Sequence, residues 1–362
     1  MRILVVNAGS SSLKLSVLDG ERLVSFETLP APGGTVDATS LAAAVRELGR
    51  FDAVGHRIVH GADRFRHAVK VDADVLASLW ELADLAPLHQ PAALRILETV
   101  SGIIPDRPAV ACFDTAFHAT LSAGAATYAL PRDWRERWPL RRFGFHGLSH
   151  AYAARRAAGL LGRPCDGLRV VTCHLGAGAS LAAVSSGRSV DTTMGFTPLE
   201  GLAMATRSGS VDPGLLLWLI ERTELSERDV AHALEHESGM LALAGTADMA
   251  VVIEHAALGQ PDAQLALAVY VHRLRAGIAA MAAAMDGLDV IAWTGGVGEH
   301  APAVRAEASD GLGFLGVRID GERNLTAAGD CDLTAPGAAV STVVIRARED
   351  LEIARQVRGA LT

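Results

Sequence analysis

Hydrophobic positions at the start of the chain come in two tight groups. Ile3 to Val6 is an unbroken apolar run, and Leu13, Leu15 and Val17 alternate with polar residues. Both patterns predict strands, the second with one face buried. Only Asn7-Ala8-Gly9-Ser10-Ser11-Ser12 separates them. A Gly/Ser hairpin turn accounts for this segment, and so does a cradle in which N–H groups and hydroxyls face an anion. A Walker loop does not fit, because the second glycine before Lys14 is missing and a strand follows where a helix belongs.

The same layout returns in LRVVTCHLGAGASLAAVSSGRSVDTT. Placing Asn7 on His174 aligns Gly9 with Gly176, Val17 with Val184 and Gly20 with Gly187. The shared strand–turn–strand order predicts two related halves, each opening on a hairpin. Further apolar runs at Arg107–Phe113 and Asp289–Trp293 predict buried parallel strands. Helices are expected at Pro91–Val100, from Asp212-Pro213 to Glu221, after the capping-box pattern Ser226-x-x-Asp229, and over Pro261–Met285. Strands alternating with helices predict an α/β fold with mainly parallel sheets. No low-complexity linker divides the halves, so the boundary is set near Phe117.

The chain has 362 residues, enough for two domains, and half of them are hydrophobic. A net charge of −8 argues against a nucleic-acid binder. The four cysteines have no CxxC spacing, and Cys112 and Cys173 fall in apolar runs, which predicts buried free thiols in a reducing cytoplasm. The N-terminal apolar run is too short for a signal peptide. The 261–285 stretch carries Asp262, His272, Arg273 and Arg275, so no membrane span is expected.

Candidate chemistry gathers at strand ends. Asp114 follows the strand ending at Phe113, where ligands of α/β sheets bind, although a helix N-cap explains it equally well. Arg57 in GHRIVHG and Arg207 in TRSGSVDPG stand among small residues, a setting suited to bidentate capture of carboxylate or phosphate or to a structural ion pair. His56/His60 and His146/His150 have i, i+4 spacing but lack the HExxH glutamate. The glycine-rich turn Thr294–His300 after a buried strand is a candidate nucleotide seat.

Taken in order, NAGSSSLK, GHRIVHG, LAPLH, FDTAFH, RRFGFHGLSH, HLGAGAS, DTTMGFTPLEG, TRSGSVDPG and GGVGEH resemble the acetate kinase family of short-chain carboxylate kinases, over essentially the whole chain. The resemblance implies two ribonuclease-H-like domains of the actin/hexokinase/Hsp70 superfamily with the active site in the cleft between them. It implies an N-terminal domain of residues 1–117 plus the terminal helix 350–362, and a nucleotide-binding domain of residues 118–349. By the same resemblance, Arg57, Arg207, Asp114 and His146 are the catalytic set. Asn7 and Glu349 belong to a Mg²⁺ site, and Val59, Leu88, Phe145 and Pro198 form the pocket for the acyl methyl group. Ser12 and Lys14 fall in the phosphate loop. His174, Leu175, Gly176, Ala177, Gly178, Asp248, Gly296, Val297, Gly298, Glu299 and His300 fall in the nucleotide site.

The implied reaction is reversible phosphoryl transfer from ATP to acetate or propionate, in a cytoplasmic homodimer that binds neither nucleic acid nor membrane. Three departures lie on the nucleotide side. Ala177 replaces an asparagine usual in the family, Asp248-Met249-Ala250 lacks the arginine of an Asp-x-Arg segment, and His300 ends a motif that usually ends in asparagine. They keep two alternatives open: a different phosphoryl donor such as another nucleotide or pyrophosphate, and a non-catalytic relative that binds ligand in the same cleft.

Overall fold

The computed structural model describes residues 1–9, 12–87 and 89–362. Ser10 and Ser11 of the first turn and Leu88 of the proposed acyl pocket lie outside the described residues. Twelve described strands form two six-stranded sheets. The first contains β1 (Arg2–Ala8), β2 (Ser12–Asp19), β3 (Arg22–Pro30), β4 (Ala53–Ile58), β5 (Val69–Lys70) and β6 (Ala109–Phe113) in the order 3-2-1-4-6-5. The second contains β7 (Arg169–Leu175), β8 (Ala179–Ser185), β9 (Arg188–Thr192), β10 (Val290–Thr294), β11 (Cys331–Asp332) and β12 (Ser341–Val344) in the order 11-12-10-7-8-9.

Adding six to each strand number of the first sheet reproduces the second, read from the other edge. The duplication extends to irregularities. The β2/β3 ladder shifts register between Val17 and Leu18, and the β8/β9 ladder shifts between Ala183 and Val184. Gly20 and Gly187, aligned from sequence, both turn their hairpins with positive φ (64° and 75°). The sheets are mixed, not mainly parallel as the strand–helix alternation predicts. β1, β4 and β6 run parallel, and β2, β3 and β5 are antiparallel to their neighbours. Apolar runs identify the buried parallel strands, and the antiparallel members are the hairpin strands β2 and β3 and the two-residue β5.

Helices close both faces. The Glu349–Leu361 helix returns to the first sheet and lies directly on β4. A Cβ at Gly55 would approach the Cγ2 atoms of Ile353 and Val357 to 2.6 Å. Ile3, Val110, Cys112, Ile353, Ala354 and Val357 share one buried cluster with Leu148, Ala153 and Ala157 of the Gly147–Leu160 helix and with Val170 and Ala292 of the second sheet. One continuous core therefore links the sheets behind the cleft. The Pro261–Ala283 helix is long and apolar enough to cross a membrane, yet it buries Ala266, Leu267, Tyr270, Val271, Leu274 and Ile278 against the second sheet.

Sequence patterns locate the other helices to within a few residues. Asp212 caps Pro213–Arg222 by accepting from Gly214 N, and the Ser226/Asp229 capping box forms with both bonds in place. The glycine turn after β10 is already helical at Gly295–His300, ahead of a second helix at Pro302–Asp310.

Candidate active site

Parallel strands deliver the charged groups. Arg57 is the penultimate residue of β4 and Asp114 immediately follows β6, its neighbour, so the two side chains emerge side by side. Arg57 holds Asp114 Oδ2 through both Nη2 (2.7 Å) and Nε (3.1 Å). Asp114 is 1% exposed, and its Oδ1 is buried without a partner. Burial pushes the Asp114 carboxyl up, and the Arg57 charge opposes that shift. Burial likewise disfavours the charge on Arg57, but Asp114 and Glu349 more than offset it and keep the guanidinium protonated.

Arg57 Nη1 also donates to Asn7 Oδ1 (3.3 Å), and Asn7 Nδ2 donates to Glu349 Oε2 (2.8 Å). Burial works to raise the Glu349 pKa, yet Arg57, His174, Asn7 and Lys14 together hold it below the ordinary glutamate value. The opening hairpin thus supplies a side-chain tether from Asn7. Beyond it, Gly9 N donates to Ser12 O (2.9 Å).

Facing this cluster is a histidine group from the second half. His146 is the N-cap of the Gly147–Leu160 helix and takes the left-handed conformation (φ 55°), uncommon for a non-glycine residue. The next residue must be small: Gly147 N donates to Asp114 O at 2.9 Å, and a Cβ there would lie 2.1 Å from that oxygen. His146 and His174 rings stand 4.4 Å apart. Burial, then His174, His150, Arg57 and Arg207, depress the His146 pKa well below an ordinary histidine, so its ring is neutral at neutral pH. Arg207 is held by Glu235 Oε2 (2.9 Å) and lies 3.4 Å from His89 Nε2.

These groups line one cavity of about 780 Å³, which includes Arg57, Asp114, His146, His174, Arg207 and Glu349 together with Val59, Phe145 and Pro198. A second cavity of about 280 Å³ adjoins it, and Ala177, Ala205 and Ala247 line both. Gly176, Asp248, Gly296, Val297 and His300 reach the second cavity, as do Met240, Met249, Ala250, Ile253 and Tyr270. Gly178 lines the first. Other residues of the implied nucleotide site are placed elsewhere. Leu175 is fully buried, Gly298 O accepts from Arg305, and Glu299 Oε1 accepts from Ala347 N. Ser12 and Lys14 sit on β2 and line neither cavity, although Lys14 contributes to the charge felt by Glu349.

Sequence reasoning missed His89, Glu235 and Tyr270 as site residues, since no spacing pattern marks them, although His89 ends the LAPLH motif. His56 and His60 show how spacing misleads: His56 lies inside β4, so the helical i, i+4 relation does not arise.

This arrangement defines an α/β cleft with paired arginines and carboxylates at one end and apolar side chains at the other, and comparison with known proteins specifies it further. Residues 35–355 match the Acetokinase family, and the chain belongs to it. It is 46% identical over 313 residues to the acetate kinase of Trichormus variabilis, spanning 86% of this chain and 77% of that one. Its fold is similar to a crystal structure of Porphyromonas gingivalis acetate kinase (TM-score 0.91, 32% identity, all of both chains). It is likewise similar to a propionate kinase from Francisella tularensis (TM-score 0.89, 31% identity, 98% of both chains).

The buried histidines make stability pH-dependent. Burial lowers His60, His89 and His118 to about 4 and His56 to about 3. Between these values and about 6.5 the unfolded chain binds more protons than the folded one, so stability rises with pH through that window. Each such histidine contributes a slope of up to about 1.4 kcal/mol per pH unit. Denaturant melts should show stability falling steadily from pH 7 to pH 5. A flat profile over that range would mean these rings are solvated.

Proposed function

We propose that the enzyme transfers the γ-phosphoryl group of ATP reversibly to acetate or propionate, giving the acyl phosphate and ADP. The observation that carries this reading is the shared wall of the two cavities. Arg57 and Arg207 line the larger cavity together with Val59, Phe145 and Pro198, and that cavity shares Ala177, Ala205 and Ala247 with the Tyr270 cavity. The acceptor carboxylate is then held by the arginines with its methyl group among the apolar side chains. The nucleotide base takes the second cavity, and the phosphates lie between.

A carboxylate is already a nucleophile at neutral pH, so the site needs alignment and positive charge more than a base. Arg57, whose Nε–Nη2 edge holds Asp114 and whose Nη1 holds Asn7, is an immobile positive charge beside the anion. His146, being neutral, offers one N–H to a phosphoryl oxygen without adding a full charge.

We infer Mg²⁺ as the metal. The unpartnered Asp114 Oδ1 and the ionised Glu349, with Asn7 tethering it, form the few-carboxylate oxygen set that this ion takes alongside substrate phosphates. When bound, the ion would neutralise charge on the transferred group. The same reading supports residues 1–117 with 350–362 as one domain and 118–349 as the other, since the terminal helix lies on β4. Cytoplasmic location is part of the proposal.

Base selection is weak in this reading. Asp248 Oδ1 is engaged by Ala250 N (2.9 Å), and Ala177 and Ala250 present only methyl groups. A donor-by-acceptor matrix with hydroxylamine trapping of the acyl phosphate tests the whole assignment. Acetate and propionate should be used, butyrate poorly, and ATP and GTP should differ less than about tenfold in kcat/KM, because no side chain reads the base as a bidentate pair. Arg57→Ala and Arg207→Ala should each lower turnover by about 10²-fold or more. Pyrophosphate outperforming every nucleotide, or no acyl phosphate from any donor, would overturn the proposal.

A homodimer is also proposed. The Pro213–Arg222 helix buries none of its residues, and Leu217 and Trp218 are 60% and 56% exposed beside Val211, Leu215 and Leu225. A contiguous apolar face of this kind suits an isologous contact with a second copy. Sedimentation equilibrium should give a dimer, converted to monomer by Leu217→Glu/Trp218→Glu. A monomeric unmodified chain at tens of micromolar would refute it.

A further inference from the structure

Behind His146 runs a chain of three buried groups that the proposed reaction does not use. Thr172 on β7, Ser180 on β8 and His150 one turn along the Gly147–Leu160 helix are all fully buried. Thr172 Oγ1 lies 2.7 Å from His150 Nδ1, His150 Nε2 lies 2.8 Å from Ser180 Oγ, and Ser180 Oγ lies 2.9 Å from His146 Nδ1. His146 Nε2 is the end of the chain. No described residue bonds it, and it adjoins Gly178 in the cleft, where a point 3.4 Å away is also 3.7 Å from Arg207 Nη1.

Each hydroxyl has one proton and each neutral ring has one, so with the Ser180 proton donated to one of the two rings the chain runs in one of two directions. In the first, Thr172 donates to His150 Nδ1, His150 Nε2–H donates to Ser180, and Ser180 donates to His146 Nδ1. His146 then carries its proton on Nε2, facing the cleft. In the second, every bond reverses, and Nε2 turns a lone pair toward the cleft. Thr172 decides between them. Reversal leaves its proton only Ala182 O, 3.4 Å away, in place of a 2.7 Å partner. A bound phosphoryl group would favour the same direction against the pull of Arg207, since a lone pair at Nε2 would then face its oxygens.

We propose that Thr172, His150 and Ser180 are positioning residues that fix His146 as its Nε2–H tautomer, so that a neutral imidazole presents a donor to the transferred phosphoryl group. The proposal rests on the reading of His146 as a phosphoryl ligand, but the tautomer is measurable without turnover. It also explains why a catalytic histidine is followed one turn later by a second buried histidine. Among the described residues, the His150 ring bonds only Thr172 and Ser180, so its polar atoms in the core are satisfied by this chain alone.

The test is ¹⁵N NMR of the histidine-labelled full-length enzyme, with His146 assigned by comparison with His146→Gln, beside the kinetics of Thr172→Val and Thr172→Ser. Wild-type His146 should show a pyrrole-type Nε2 and a pyridine-type Nδ1. Thr172→Val removes the hydroxyl without changing the volume and should shift the ring toward the Nδ1–H form. It should lower kcat on the order of tenfold or more with the acetate KM little changed, since one donor to a developing oxyanion is worth about 10²–10³-fold. Thr172→Ser keeps the hydroxyl and should restore both readouts. A wild-type His146 protonated on Nδ1 would overturn the proposal, and so would a Thr172→Val enzyme with wild-type kcat. A lost phosphoryl role with an intact Nε2–H tautomer would instead refute only the reading of His146.

Discussion

The charge pair between Arg57 and Asp114 is the constraint on which the site is built. A carboxylate as buried as Asp114 is costly unless a charged partner such as the half-buried Arg57 guanidinium offsets it. Three separate parts of the chain meet at the pair: Asn7 of the first strand bonds Arg57, Gly147 N bonds the main-chain oxygen of Asp114, and Glu349 at the start of the terminal helix bonds Asn7 and adds its charge beside Arg57. Each of these contacts brings a functional segment to the cleft. The ion pair is therefore a registration device for the first half as well as a binding group.

Duplication explains why the opposite wall is available. Asn7 and His174 occupy corresponding places on β1 and β7, and the order of the two sheets is the same. The first half uses its position for a polar tether between Arg57 and Glu349, and the second uses it for an imidazole beside His146. Between them the shared core of the Gly147–Leu160 and terminal helices keeps the walls in register. The cavity beyond Ala177 is shaped almost wholly by backbone and apolar side chains, which is why its selectivity is expected to be loose and its phosphate end well defined.

Much of this was legible in the sequence for physical reasons. Apolar runs bounded by small residues located β1, β6, β7 and β10, and caps located the helices at Asp212 and Ser226. Arginines among glycines marked Arg57 and Arg207, because a surface arginine would sit among charges. What was not legible depended on distance in space. Sheet direction at the edges, the pairing of Arg207 with Glu235, and the Thr172–His150–Ser180–His146 chain each join residues whose local sequence carries no signal. The glycine turn after β10 was recognised, but its helix begins earlier than expected, and the side chains of Leu175 and Glu299 point away from the cavity it borders.

The claim that Arg57 and Asp114 act as one unit is tested most directly by a double-mutant cycle on kcat/KM for acetate, using Arg57→Ala, Asp114→Ala and both together. If the pair is one device, the double variant should lose about as much as the worse single variant, with an interaction energy of at least about 1–3 kcal/mol. Losses that simply add would show that each residue serves the reaction independently, and would contradict this account of the site.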